Sequence, residues 1–170
     1  MSLVNNASAL VDNFQFNKVF LASVSQGYYD QNLFDATDLI LPSTSLTSGC
    51  YRNMFNRRSY LTGIPDLPAT DLVSGCYSYM FAVTGIKDIY LPATGLANNC
   101  YENMFKNCSS LTGIKVDFTS WGTNNSQYTS NWVDGVAANG EFTCPSALGT
   151  NANIRRGLSN CPTNWTVTNT

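Results

Sequence analysis

Apolar residues recur along the middle of the chain in a fixed arrangement of short groups. A Leu-Pro step is followed by a lone leucine, then by Cys-Tyr, and then by Met-Phe. The three copies occupy 41–55, 67–81 and 91–105, so they are 26 and then 24 residues apart. A weaker copy precedes them at 23–34. Repetition at this period predicts a repeat array in which each unit buries its apolar face against its neighbours.

Between each Met-Phe pair and the next Leu-Pro step, apolar residues lie two positions apart, as they do on one face of a short strand. This spacing predicts short strands near 39–41, 64–67, 89–91 and 114–118, which proline or polar residues then end. One strand from each repeat is expected to join a parallel sheet.

The combined motif, apolar-x-x-Ile-x-Leu-Pro and then apolar-Phe-x-x-Cys, resembles the BspA-like or Treponema-type class of leucine-rich repeats. Phe105-Lys-Asn-Cys108 carries the second element intact, whereas Arg58 replaces its cysteine and the repeat of Phe81 is one residue short there. The Leu-Pro-Ala-Thr variant is similar to the form found in gut Bacteroidetes surface proteins and their phages. The resemblance covers about residues 20–118. It implies a leucine-rich-repeat solenoid, and implies little about function because architecture defines the family.

The predicted organisation is a mainly β repeat solenoid with different ends. Residues 1–22 form an N-terminal cap with a strand over 14–20, and residues 23–118 hold about four repeats of 22–26 residues. Residues 119–170 form a C-terminal cap. Its patterns predict a short helix over 126–136, short strands at 140–145 and 165–167, and a loop at 146–160.

Composition narrows the classes of function. Only 12% of the residues are charged, about half the usual share, and the net charge is −2 without any basic run. We therefore expect no nucleic-acid partner. No apolar run is long enough for a spanning helix, so membrane insertion is not expected. The chain has no histidine, no Cys-x-x-Cys pair and no phosphate-binding glycine loop. We predict a non-enzyme without a metal or cofactor.

Five of the six cysteines fall into two groups, and the sixth, Cys108, is expected to be a core residue of its repeat. Cys50, Cys76 and Cys100 share one repeat position, which predicts a buried structural ladder because free cysteine is among the most buried residue types. For Cys144 and Cys161 two interpretations stay open. A disulfide would close a loop of 17 residues and contribute about 3 kcal/mol on the chain-entropy model. Free thiols are the alternative.

Two sets of residues are candidates for contact with a ligand. The first is the outward face of the predicted strands, which is the usual binding surface of a solenoid. Its members are Lys87, Asp88, Tyr90, Lys115 and Thr62, and Tyr90 is the strongest of them. The second is a tyrosine column beside the cysteines, Tyr51, Tyr77 and Tyr101. This column is interpreted either as a half-buried stack or as an aromatic strip that faces a ligand.

The expected function is a non-catalytic recognition or structural module displayed on a surface. The start of the chain lacks the pattern of a signal peptide, which slightly favours a phage virion component, such as a decoration, fibre or tail protein. The alternative is an adhesion or protein-binding domain of an exported cell-surface protein. A carbohydrate-binding accessory module is a more remote alternative. The expected partners are therefore proteins of a virion or cell surface, or a glycan.

Overall fold

The computed structural model describes residues 35–41, 46–122 and 125–170. The predicted N-terminal cap at 1–22 and the weak repeat at 23–34 lie outside them. The regular elements of the described residues are four strands and one helical turn. They are β1 (Asp88–Leu91), β2 (Gly113–Val116), α1 (Asn125–Tyr128), β3 (Glu141–Cys144) and β4 (Thr166–Asn169).

The four strands form one sheet in the order β1-β2-β3-β4, and every neighbouring pair is parallel. Their side chains alternate between the core and the outward face, as the period of a strand requires. Ile89, Ile114, Phe142 and Val167 lie in register and point into the core. The strands predicted near 89–91, 114–118, 140–145 and 165–167 are confirmed, and so is a mostly non-helical, β-rich parallel array.

The strands predicted at 39–41 and 64–67 are wrong. Among the described residues before β1, only an isolated parallel bridge between Asp35 and Gly63 forms. Pro65 supplies no N–H group for a ladder. The stretch from Ile64 to Leu67 also has one residue more than the stretch from Ile89 to Leu91, so it cannot keep the same register.

The Cys-Tyr and Met-Phe pairs lie in three turn segments, 48–57, 74–83 and 98–107. In each segment the backbone N–H groups alternate between a hydrogen bond within the segment and a hydrogen bond to the next segment. Even-numbered donors of the first segment bond to the carbonyl three residues earlier, and odd-numbered donors bond to the second segment. The crossing donors are residues 49, 51, 53, 55 and 57, at 2.7–3.0 Å. The turn segments are therefore stacked by a backbone ladder of their own.

A left-handed residue occurs at every fourth position of these segments. Positive φ angles occur at 49, 53 and 57, at 75, 79 and 83, and at 99, 103 and 107. Each such residue interrupts the right-handed coil, so a continuous helix cannot form. The result is a four-residue unit with one left-handed residue, two buried residues and a fourth residue. This fourth residue is at least partly exposed in the first and third segments, and it is buried in the second, where it is Ser78 or Ala82. This unit explains why the apolar residues come in adjacent pairs.

The buried pairs stack in columns through the core. The rings of Tyr51 and Tyr77 lie 5.7 Å apart and nearly parallel, and those of Tyr77 and Tyr101 lie 6.1 Å apart. A phenylalanine column runs beside them through Phe55, Phe81 and Phe105. Burying three equivalent aromatic rings in each column removes a large apolar area from water, about 150–250 Å² for each ring.

Trp132 packs against the last ring of both aromatic columns, at the C-terminal end of the stack. Its ring centroid lies 6.0 Å from that of Tyr101 and 5.8 Å from that of Phe105. The indole is fully buried, and its N–H donates to the carbonyl of Asn160 at 2.8 Å. One indole thus covers two ring columns and has its polar atom satisfied.

The helix predicted over 126–136 is wrong in its extent, because α1 ends at Tyr128. Positive φ angles at Asn131 and Gly135 continue the four-residue unit instead. The third turn segment donates backbone hydrogen bonds to carbonyls between Gln127 and Asp134. Residues 125–135 therefore act as a degenerate fourth turn segment. Together with β3 and β4, these residues extend the stack of repeats into 119–170, the region predicted as a C-terminal cap. The domain boundaries predicted at 22/23 and 118/119 stay a prediction.

We expect Val83→Asn to raise the free energy of unfolding by about 1 kcal/mol, because a β-branched residue is poorly suited to a left-handed conformation that asparagine tolerates. The reverse change, Asn107→Val at the equivalent position, should lower it by a similar amount. Urea denaturation of both variants would measure the effect. Equal stability of the two would show that the left-handed positions do not constrain the fold.

Gly140→Ala should destabilise the protein by about 1–3 kcal/mol through overpacking. A methyl group at this position would meet the backbone carbonyl of Thr112 and the ring of Trp165, at 2.7 Å from Cε2. Gly95→Ala is the matched control, because nothing lies within 4 Å of the added carbon. Thermal unfolding should separate the two variants, and similar midpoints would contradict the close approach.

Candidate functional site

The outward face of the sheet presents two columns of side chains in register. Asp88, Gly113, Glu141 and Thr166 form the first, and Tyr90, Lys115, Thr143 and Thr168 form the second. Core packing does not constrain these positions, so they are free to carry a binding function. The only aromatic ring in either column is that of Tyr90, which is 47% exposed.

Tyr90 is held in place by two charged neighbours. The ammonium of Lys115 lies 4.7 Å from the ring centroid, within cation–π range. The phenol hydroxyl donates a hydrogen bond to the carboxylate of Asp117. This hydrogen bond raises the pKa of the Tyr90 phenol above its ordinary value. The side chain therefore presents a fixed, exposed aromatic surface.

Two shallow grooves meet at β1. The sheet groove has a volume of about 400 Å³ and follows β1, β2 and β3; its polar lining comes from Asp88, Tyr90, Lys115, Glu141 and Thr143. The proline groove has a volume of about 470 Å³ and lies between β1 and residues 64–68. Asp88 and Tyr90 line both grooves. Tyr90 therefore forms the ridge between them.

The structure brings three of the predicted face residues together, namely Asp88, Tyr90 and Lys115. Lys87 is exposed just before β1, where its carbonyl accepts backbone hydrogen bonds from Thr112 and Gly113. Thr62 is exposed in a neighbouring repeat. Neither Lys87 nor Thr62 lines the two grooves described here.

Sequence reasoning missed other residues of this face. Asp66 and Tyr90 both stand just before a Leu-Pro step, so repeat alignment alone would have paired them. Pro68 and Pro92 were interpreted only as strand ends, although they line the proline groove. Asp117 carried no recognisable signal, since its bond to Tyr90 depends on the register of β1 against β2.

The tyrosine column is part of the core. Tyr51, Tyr77 and Tyr101 are each 1% exposed, so the interpretation as a ligand-facing strip is wrong, and half-buried understates their burial. Burial raises the pKa of all three phenols, and nearby thiols add to the effect. The reason is the four-residue unit, which turns the residue after each cysteine inward as well.

The cysteine ladder at Cys50, Cys76 and Cys100 is buried, as predicted. Burial raises the pKa of the Cys100 thiol to about 12. Cys144 and Cys161 are free, buried thiols in the structure, which therefore does not contain the disulfide. Burial raises the pKa of Cys161 to about 11, although Arg156 opposes the shift. Such thiols stay protonated and react slowly.

The described residues contain no group of three or more acidic, cysteine or histidine side chains arranged to hold a metal ion. Their single helix, α1, has four residues, and no helix among them is long and apolar enough to cross a membrane.

Comparison of the whole chain with protein-family models, curated proteins and solved structures finds no match.

Stability should fall as the pH rises above about 9, where an unperturbed thiol begins to ionise. In the unfolded chain the thiols then lose protons that the folded protein retains, up to about pH 12 for Cys100. Each such thiol lowers the free energy of unfolding by about 1.4 kcal/mol per pH unit in this window, and by nothing below it.

Urea denaturation between about pH 8 and pH 10 would measure this slope, because above about pH 10 the phenols of the unfolded chain ionise as well. Cys100→Ala should have a lower starting stability, because it leaves a small cavity, and a shallower fall with pH. A stability that stays flat over this range, or a variant with an unchanged slope, would contradict the role assigned to the buried thiols.

Proposed function

We propose that the chain is a leucine-rich-repeat solenoid of the BspA-like type and that it serves as a non-catalytic recognition module. The repeat motif and the repeat-by-repeat stacking of the turn segments support the solenoid. The observation that carries the recognition role is Tyr90, a large aromatic side chain that stays exposed and yet is held by Lys115 and Asp117.

An exposed and immobilised aromatic ring is well suited to binding. A ring that is already ordered loses little conformational entropy when a partner covers it. Tyrosine is enriched among the residues that dominate interface energies. The grooves on either side of Tyr90 give a partner concave surface to fill.

The setting that we propose is a virion, where the chain would be a decoration, fibre or tail protein. An exported bacterial cell-surface protein is the alternative. The low content of charged residues suits an exposed particle or cell surface in either case. Mass spectrometry of purified phage particles and of cell-envelope fractions would separate the two settings.

Tyr90→Ala should weaken binding to a surface partner at least tenfold, because truncation of a central aromatic contact costs about 2 kcal/mol or more. Partners would come from a screen of host-surface proteins and glycans, and affinities from biolayer interferometry. The matched control is Tyr60→Ala, since Tyr60 is 53% exposed but lies outside the sheet. Equal losses for the two variants, or none for Tyr90→Ala, would overturn the assignment of the sheet face.

A further inference from the structure

We propose that the proline groove takes a lysine or arginine side chain from a protein partner. This inference rests on the proposed recognition function and deepens it by naming the chemistry of the contact. The groove has a volume of about 470 Å³. Its lining includes Tyr90, Asp66, Asp88, Pro65, Pro68 and Pro92.

The two faces of the Tyr90 ring are in different surroundings. The face toward β2 is occupied by the ammonium of Lys115, 4.7 Å from the ring centroid. The proline groove lies on the other side of β1, and Lys115 does not line it. The second face of the ring is therefore available to a ligand in that groove.

The hydrogen bond of the Tyr90 hydroxyl increases the attraction of this ring for a cation. It donates to the carboxylate of Asp117, and a phenol that donates to an anion gains electron density in its ring. Cations bind the negative face of an aromatic ring, and more strongly when the ring is electron-rich. The ammonium of Lys115 already occupies a cation–π position on the other face of this ring.

The charge of the groove is complementary to a cationic ligand. Asp66 and Asp88 line it, and no basic side chain does. Among the described residues, the one ion pair joins Lys106 to Asp134, so neither groove carboxylate is paired with a base. A partner's cation would give these carboxylates the charged partner that the chain itself does not supply.

The hydrogen-bonding groups of the lining side chains also favour a cationic ligand. Asp66 offers acceptors, and Asp88 lines the groove with its carboxylate leaning over Gly113 of β2. The Tyr90 hydroxyl already donates to Asp117, and the prolines have no N–H group. A guanidinium or ammonium group has donors only, so it matches this lining. Sugar hydroxyls both donate and accept, and they would find no side-chain donor here. The proline rings suit the aliphatic stem of lysine or arginine.

An NMR titration of the full chain with N-acetyl-argininamide would test the inference, with the neutral isostere N-acetyl-citrullinamide as the matched ligand. Argininamide should shift the amide signals around residues 64–68 and 88–92 in a saturable way. Citrullinamide should bind at least tenfold more weakly. Raising the sodium chloride concentration from 50 to 500 mM should weaken the argininamide complex, because its attraction is partly electrostatic.

Two aspartate variants test which carboxylate binds the cation of argininamide. Asp66→Asn should weaken argininamide binding about tenfold, whereas Asp71→Asn, an exposed aspartate that does not line the groove, should change it less than twofold. Equal binding of the two ligands, or equal effects of the two variants, would overturn the inference. So would saturable binding of maltotriose at the same residues without binding of argininamide.

The failures of the two proposals are distinguishable. If Tyr90→Ala abolishes binding of the surface partner and argininamide does not bind, the cationic contact is wrong and the recognition role stands. If argininamide binds as expected and Tyr90→Ala leaves partner binding unchanged, the groove binds cations but the proposed function of the sheet face is wrong.

Discussion

The left-handed residue at every fourth position of the turn segments is the constraint on which the rest of the structure depends. It stops each segment from becoming a helix, in which the N–H groups would bond within the segment. Alternate N–H groups are thereby free to bond to the next segment, and this ladder stacks the repeats. The same conformation turns two adjacent residues inward in each unit, which places the tyrosine and phenylalanine columns in one core. From β1 onward, the sheet and the turn ladder together hold the repeats on two sides.

The strands were the most predictable part of the fold. Ile89 and Leu91, like Ile114 and Val116, repeat at the period of a strand, and this period alone indicates which side chains point inward. The strand at 64–67 failed because Pro65 and one extra residue break the ladder, an effect that the apolar spacing does not reveal.

The turn segments were harder to predict because their period is four, neither that of a strand nor that of a helix. The signal was nevertheless present. Asn99, Asn103 and Asn107 occupy every fourth position of the third segment, and asparagine tolerates positive φ better than most residues. In the second segment the same positions are occupied by Tyr79 and Val83, which do not favour positive φ, so the period cannot be recognised from the residue types there. The full burial of the tyrosine column follows from this period, whereas the sequence had indicated either a half-buried stack or a ligand-facing strip. The bond of Tyr90 to Asp117 depends on the register between strands, which no local pattern specifies.

The buried positions of the repeat motif keep the same residue in each copy, whereas the outward positions of the candidate site differ between copies. Buried positions carry the same residues in successive copies because each must fit the column above and below it. The position just before the Leu-Pro step points outward, and there the chain has Ile40, Asp66 and Tyr90 in turn. Ile40 is 75% exposed and Tyr90 47% exposed, so apolar surface is left in contact with solvent at two of these places. Such exposure is a cost for an isolated protein, since it leaves apolar area in contact with water. A partner that covers this face would remove the cost, and an acidic residue between two apolar ones would define the charge that the partner has to bring.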